Sequence, residues 1–166
     1  MKVAIRIPGT LYASALADLE RTHPFAAERI GFFSASCGHG NKDENIVCLT
    51  AYHPVADDDY VDDPCAGARI NSRAIRSALQ RVLDEQSGQI HVHLHHHRGR
   101  PAPSSMDARE LPPLIRSFSA AGPQQVSGGL ILSLDSAWAD LWLPGHTQLQ
   151  PATRITSVGF PLRFLL

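Results

Sequence analysis

The chain of 166 residues contains no long apolar run and few cysteines. No stretch reaches the roughly 18 consecutive apolar residues that indicate a membrane-spanning helix, and residues 1–8 lack the apolar core of a secretory signal. The three cysteines, Cys37, Cys48 and Cys65, include no C-x-x-C pair, which argues against a structural zinc knuckle and a disulfide framework. We therefore expect a cytoplasmic protein without a membrane partner.

Neither sign of charge is in excess. The chain has 15 Lys and Arg against 16 Asp and Glu, a formal net charge of -1. A general nucleic-acid binder normally presents a basic face, so we expect no nucleic-acid partner. Acidic residues do cluster at residues 57–63. A solvated loop is the simplest explanation; binding of a basic partner or a second cation is the alternative.

Hydrophobic periodicity and turn residues predict strands and helices that alternate along the chain. Strands are predicted at residues 3–7, 28–35, 46–52, 89–95, 128–134, 138–143, 154–158 and 162–166, with a turn at 38–43 and a loop at 53–69. Helices are predicted at 11–21, 72–86 and 105–121, and Pro112–Pro113 is expected to split or kink the last of them. This order predicts a single α/β (α+β) domain, a mixed β-sheet flanked by helices.

Histidines are concentrated in one predicted strand, since five of the nine lie within residues 91–97. Side chains alternate between the two faces of a strand, which places four of these imidazoles on one face: His91, His93, His95 and His97. Neighbouring rings are then about 7 Å apart along the strand and can converge on one ion. Two His and one Asp, here Asp107, with water in the fourth position, form a catalytic zinc pattern that activates water for hydrolysis.

Simpler explanations of these residues remain open. A His-rich tract can be a solvated loop, or bind zinc or nickel without catalysis. Ser104 stands three residues before Asp107 and suits a helix N-cap as well as a catalytic role. Glu28, before a predicted strand, can be an ordinary surface glutamate.

Three motifs, taken in order, resemble the JAMM (MPN+, JAB-domain) metalloprotease family. They are Glu28-x-x-Gly31-Phe32-Phe33, His93-x-His95 and Pro103-Ser104-x-x-Asp107. The resemblance implies a cytidine deaminase-like JAB/MPN fold across residues 1–166 and a Zn²⁺ cofactor held by His93, His95 and Asp107. It also implies that Glu28 is the general base and that Ser104 stabilises the oxyanion.

The spacing of the second and third motifs departs from the family. Eight residues separate His95 from Ser104, where the family usually has seven, and His96 stands where a proline is usual. The pair His93/His95 fits the spacing best, but His91 or His97 can still be a ligand.

The activity that the resemblance implies is that of a zinc isopeptidase of the stand-alone bacterial type. Such an enzyme hydrolyses the amide bond at the C-terminus of a ubiquitin-like protein, in deconjugation or precursor processing. Its partners are ubiquitin-like proteins or their conjugates, with E1-like and E2-like proteins of the same pathway. Two alternatives stay open: a peptidase acting on a sulfur-carrier protein adduct, and a non-catalytic MPN scaffold that binds protein partners.

Overall fold

A computed structural model describes residues 1–40 and 43–166. The described strands are β1 (Lys2–Pro8), β2 (Ile30–His39), β3 (Glu44–Pro54), β4 (Gly88–Leu94), β5 (Ser127–Leu132), β6 (Ala137–Trp142), β7 (Gln150–Pro151), β8 (Arg154–Val158) and β9 (Arg163–Phe164). The helices are α1 (Gly9–Leu19), α2 (Ser72–Glu85) and α3 (Ser105–Ala121), with a short 3₁₀ helix at Asp57–Asp59. Part of the turn predicted at 38–43 lies outside the described residues.

The strands form one mixed sheet in the order β7-β6-β5-β4-β2-β3-β1-β8-β9. Strands β2 and β3 are antiparallel, as the predicted hairpin requires, and β4 lies between antiparallel β2 and parallel β5. The sheet curls so that its two ends meet: the backbone N–H of Ala137, in β6, donates to the carbonyl of Leu165, beyond β9, at 3.0 Å.

Side chains of strand β4 alternate between the two faces of the sheet, and each face carries its own hydrophobic cluster. Ile90, Val92 and Leu94 point into the cluster that includes the buried residues of α1. The opposite face of the sheet carries a second cluster, in which Phe32 packs with buried residues of α2 and α3. His91 and His93 alternate with the apolar residues of β4 and are themselves buried, so they lie on the α2/α3 side.

Helix α3 continues through Pro112 and Pro113, so of the two expected outcomes, a split or a kink, the split is wrong. Its buried residues, Leu111, Ile115 and Phe118, recur at helical spacing and face the core. Packing of this face offsets the cost of about 3 kcal/mol that each interior proline carries.

The other differences are at element ends. Strand β2 begins at Ile30, so Glu28 lies in the segment before it. The short strand β7 had no strand prediction, and the last predicted strand is reduced to two residues in β9. The mixed α/β class is confirmed. Within the described residues, no helix has the length and apolar character needed to cross a membrane.

Candidate metal centre

The end of strand β4 brings two imidazoles together. His93 is within the strand and 3% exposed. His95 follows the last strand residue, but its backbone N–H still donates to Leu132 of β5 at 2.9 Å. This bond keeps the chain extended past the strand end, and the Nε2 atoms of His93 and His95 lie 3.1 Å apart.

The first turn of α3 supplies a carboxylate. Ser104 and Asp107 form a capping box: Asp107 N–H donates to Ser104 Oγ at 3.1 Å, and Ser104 N–H donates to Asp107 Oδ2 at 2.8 Å. The Ser104 hydroxyl also donates to Asp107 Oδ2, at 2.7 Å. The N-cap interpretation of Ser104 is therefore confirmed, and the same bonds fix the orientation of the Asp107 carboxylate.

The separations of these groups fit tetrahedral coordination. Asp107 Oδ1 is 3.4 Å from His93 Nε2, and Asp107 Oδ2 is 3.7 Å from His95 Nε2. Ligand bonds of 2.0–2.1 Å to a tetrahedral zinc ion place neighbouring donor atoms about 3.3 Å apart. The three groups can therefore hold one ion with little movement.

Glu28 also approaches His95. Its Oε1 is 3.9 Å from His95 Nε2, and ligand atoms of Glu28, His93 and His95 all lie within 4.8 Å of one another, a group that can hold a metal ion. The Asp107 carboxylate is closer to both imidazoles than Glu28 is to His95, so Glu28 and Asp107 are both candidates for a third ligand.

The loop after β3 holds the backbone at Glu28. The N–H groups of Ala27 and Glu28 both donate to the carbonyl of Gly67, at 2.7 and 3.1 Å. A Cβ atom on Gly67 would lie 3.3 Å from Glu28 Oε2, so this loop contacts the carboxylate as well as the backbone.

A buried arginine ties the same two segments together. Arg29 is 1% exposed, pairs with Asp57 and lies over the ring of Tyr60 at 5.4 Å. The Tyr60 hydroxyl accepts the N–H of Ile30 at 2.7 Å, next to the start of β2. Glu28 is therefore fixed on both sides.

The acidic segment matches the predicted solvated loop only in part, since Asp57, Asp58 and Asp62 are exposed. Asp59 is buried and pairs with Arg73 at 2.5 Å. Asp63 pairs with Arg69 at 2.7 Å, and Asp57 pairs with Arg29. Arginines of the chain itself neutralise these carboxylates, because the folded loop returns to the start of α2 and to β2.

Burial and neighbouring charges shift the pKa values of two groups of the site, Asp107 and His95. Burial alone would raise the pKa of Asp107, but the hydrogen bond and charge of His93 and the bonds from Ser104 hold that pKa below its usual range. Burial, followed by the charge of His93, lowers the pKa of His95, against the opposing effect of Glu28 and Asp107. A carboxylate and neutral imidazoles are the forms that bind metal.

A cavity of about 920 Å³ opens beside these residues. Residues 63 and 65–70 line one side and α3 lines the other, with apolar contributions from Ile70, Leu111 and Leu114. Glu28, His93 and Asp107 face into it. Sequence analysis missed Gly67 and this apolar lining, since no local pattern indicates a contact between residues so far apart in the chain.

The structure thus brings together all five predicted site residues: Glu28, His93, His95, Ser104 and Asp107. The other histidines of the cluster have different surroundings, although His91 also lines the cavity. His91 is buried against Phe32, with ring centroids 5.7 Å apart, whereas His96 and His97 are exposed.

In comparisons with known proteins, no protein-family model matches the chain, and no curated protein matches it significantly.

Proposed function

We propose that this protein is a zinc-dependent peptidase of the JAMM type, which hydrolyses the amide bond at the C-terminus of a ubiquitin-like protein. The observation that carries the proposal is the separation of 3.1–3.7 Å among His93 Nε2, His95 Nε2 and the Asp107 oxygens, with a second carboxylate, Glu28, beside them.

The donor set favours zinc in a catalytic role. Two imidazoles and one carboxylate are donors that Zn²⁺ accepts, and three protein ligands leave one coordination position open, as catalytic zinc sites do. When bound, zinc supplies Lewis acidity, which lowers the pKa of a coordinated water molecule to about 7 and polarises a carbonyl group.

Glu28 is the general base in this proposal. Its carboxylate is 3.9 Å from His95 Nε2 and faces the cavity, so it can reach both the attacking water and the substrate amide. Glu28 takes a proton from the water and delivers it to the leaving amine, which balances the hydrolysis.

The Ser104 hydroxyl must give up its hydrogen bond to Asp107 before it can donate to an oxyanion. Its hydroxyl donates to Asp107 Oδ2 at 2.7 Å, while its backbone N–H donates to the same oxygen. Rotation of the hydroxyl toward the scissile amide leaves the backbone bond in place. A hydrogen-bond donor at the developing oxyanion stabilises the transition state by about 3 kcal/mol.

The cavity gives a substrate peptide access to the proposed metal centre. Its volume of about 920 Å³ and the apolar side chains in its lining suit an extended peptide with apolar side chains. The ubiquitin-like nature of that chain rests on the motif resemblance alone.

The test is cleavage by zinc-loaded protein of fusions that carry amides at the C-termini of ubiquitin-like and sulfur-carrier proteins. We expect Glu28→Gln to keep its zinc and to lower kcat by about 10²–10⁴-fold, the usual contribution of a general base. Glu110→Gln is the matched control, since Glu110 lines the cavity but pairs with Arg109 at 2.8 Å.

Four outcomes contradict parts of the proposal. Zinc-loaded wild type that cleaves no member of the panel rejects the peptidase function, and full activity in Glu28→Gln rejects the mechanism. Cleavage of sulfur-carrier adducts alone rejects the proposed substrate. A His93→Ala variant with unchanged metal content and no altered activity indicates a scaffold.

A further inference from the structure

Four histidine rings follow one another from the core to the surface. Consecutive ring centroids of His91, His93, His95 and His97 are 5.5, 5.0 and 5.8 Å apart. Only the middle two rings are needed as ligands in the proposed zinc centre. The outer ring, that of His97, continues the row into solvent.

The backbone keeps His97 in this row after strand β4 has ended. The N–H of His97 donates to the carbonyl of His95 at 2.8 Å, and the N–H of Leu134 donates to the carbonyl of His97 at 3.0 Å. These bonds hold an exposed side chain on the same side as the buried site, a placement that strand alternation alone does not ensure.

A second observation concerns the tautomer of His97. Its Nδ1 lies 2.9 Å from the carbonyl oxygen of Arg98. Because a carbonyl oxygen only accepts hydrogen bonds, Nδ1 carries the proton, and in the neutral ring the lone pair is on Nε2. Metal-binding histidines typically donate their other ring N–H to a carbonyl or carboxylate in this way.

The buried ligands need a route for the ion. His93 is 3% exposed and lines the cavity of about 920 Å³, so the row of imidazoles is a second route to it, which starts at the protein surface. The His95 side chain is 14% exposed and lies between His93 and His97. An ion held at the surface by His97 can therefore exchange its waters one at a time for the nitrogens of His95 and then His93.

We propose that His97 is an entry ligand, which captures a divalent transition-metal ion and passes it to His95 and the buried centre. The inference rests on the metal centre of the proposed function, but not on peptidase activity. In this role His97 is absent from the final coordination, so it accelerates binding and release equally and leaves the affinity unchanged.

The test follows Co²⁺ binding to metal-free protein by stopped-flow absorption, because the visible spectrum of Co²⁺ reports its coordination. We expect His97→Ala to bind Co²⁺ several-fold more slowly and to release it to a chelator more slowly by the same factor. The dissociation constant and the final spectrum remain those of wild type.

His96→Ala is the matched control. His96 is the exposed neighbour of His97, and none of the ring contacts among the described residues involves it. We expect wild-type rates in this variant. Equal slowing in both variants would indicate a general effect of histidine near the site and reject the specific role of His97.

Each remaining outcome supports or rejects the entry role of His97. Unchanged association in His97→Ala rejects it, and a weaker affinity with an altered spectrum makes His97 a resident ligand instead. Wild type that binds no Co²⁺ rejects both the metal centre and the entry route. Loading as expected without cleavage of any substrate rejects the peptidase function and leaves the entry role supported.

Discussion

Two histidines on one face of strand β4 have different surroundings. His93 meets the carboxylate of Asp107 at 3.4 Å. His91, two residues earlier, packs against the edge of Phe32, and its Nδ1 is buried without a hydrogen-bond partner among the described residues. Burial lowers the pKa of His91 to about 3, with a smaller contribution from the charge of His93 and an opposing one from Asp107. The two rings therefore differ in their neighbours: His93, the proposed ligand, meets a carboxylate, whereas His91 packs in the core.

His91 makes the stability of the metal-free protein depend on pH. Its pKa of about 3 in the folded state is below the usual 6.5, so between these values the unfolded chain binds a proton that the native state excludes. Stability consequently falls as the pH drops from about 6.5 toward 3, by up to a few kcal/mol. We expect His91→Phe to remove this part of the loss, as measured by urea unfolding of metal-free protein from pH 7 to pH 4.

The exposed neighbour His96 provides the control for this measurement. His96→Ala should show the same pH dependence as wild type. If His91→Phe and wild type lose stability in parallel, the protonation of His91 is not the cause. Zinc stoichiometry in His91→Phe gives a second result, since loss of zinc would place His91 among the ligands.

At the scale of elements, the site depends on a loop as much as on a strand and a helix. The end of β4 positions the imidazoles and the capping box of α3 positions Asp107. Glu28 precedes β2 and is held by Gly67, whose carbonyl accepts two backbone N–H groups from residues 27 and 28. The absence of a side chain at Gly67 leaves room for the Glu28 carboxylate.

Gly67→Ala is expected to impair the proposed chemistry without removing the metal. The added Cβ would lie 3.3 Å from Glu28 Oε2, a close contact that displaces the carboxylate by a few tenths of an ångström. We expect kcat to fall by about tenfold, given the sensitivity of catalysis to small misplacements, with zinc content unchanged. Steady-state kinetics and metal analysis measure both quantities.

Gly38→Ala is the control for Gly67→Ala. A Cβ at Gly38 would meet nothing within 4 Å, so we expect full activity. Unchanged kcat in Gly67→Ala would show that Glu28 does not need this contact, and zinc loss in that variant would make Glu28 a ligand.

At the scale of the whole molecule, the centre joins parts of the chain that are distant in sequence. Glu28, the pair His93/His95 and Asp107 come from the segment before β2, the end of β4 and the start of α3. The unfolded chain cannot hold these groups together, so a bound ion stabilises the folded state by mass action.

Zinc should therefore raise the thermal stability of the protein. At a free zinc concentration 100 times the dissociation constant, we expect a gain of about 2.7 kcal/mol, visible as a higher Tm in calorimetry. Asp107→Ala should lose most of this gain. Cys65→Ser should keep it, which excludes adventitious binding at the exposed thiol. An equal zinc response in wild type and Asp107→Ala would contradict the assigned centre.

The sequence by itself determined the features that depend on local interactions. Asn71 caps α2 through bonds to residues only two and three positions away. Strand geometry likewise places the side chains of His91 and His93 on one face of β4 and those of its apolar residues on the other. The resemblance of three motifs to the JAMM family selected the five residues that the structure brings together. It did not determine their metal, substrate or roles, which remain predictions.

Only the tertiary structure decided the features that depend on distant contacts. The continuation of α3 through two prolines, the pairing of the acidic residues with arginines, and the contact of Gly67 with Glu28 all require groups far apart in sequence. The same holds for the separate environments of His91 and His93, which share a strand face but meet different neighbours. Local patterns describe which way a side chain points, whereas packing determines what it meets.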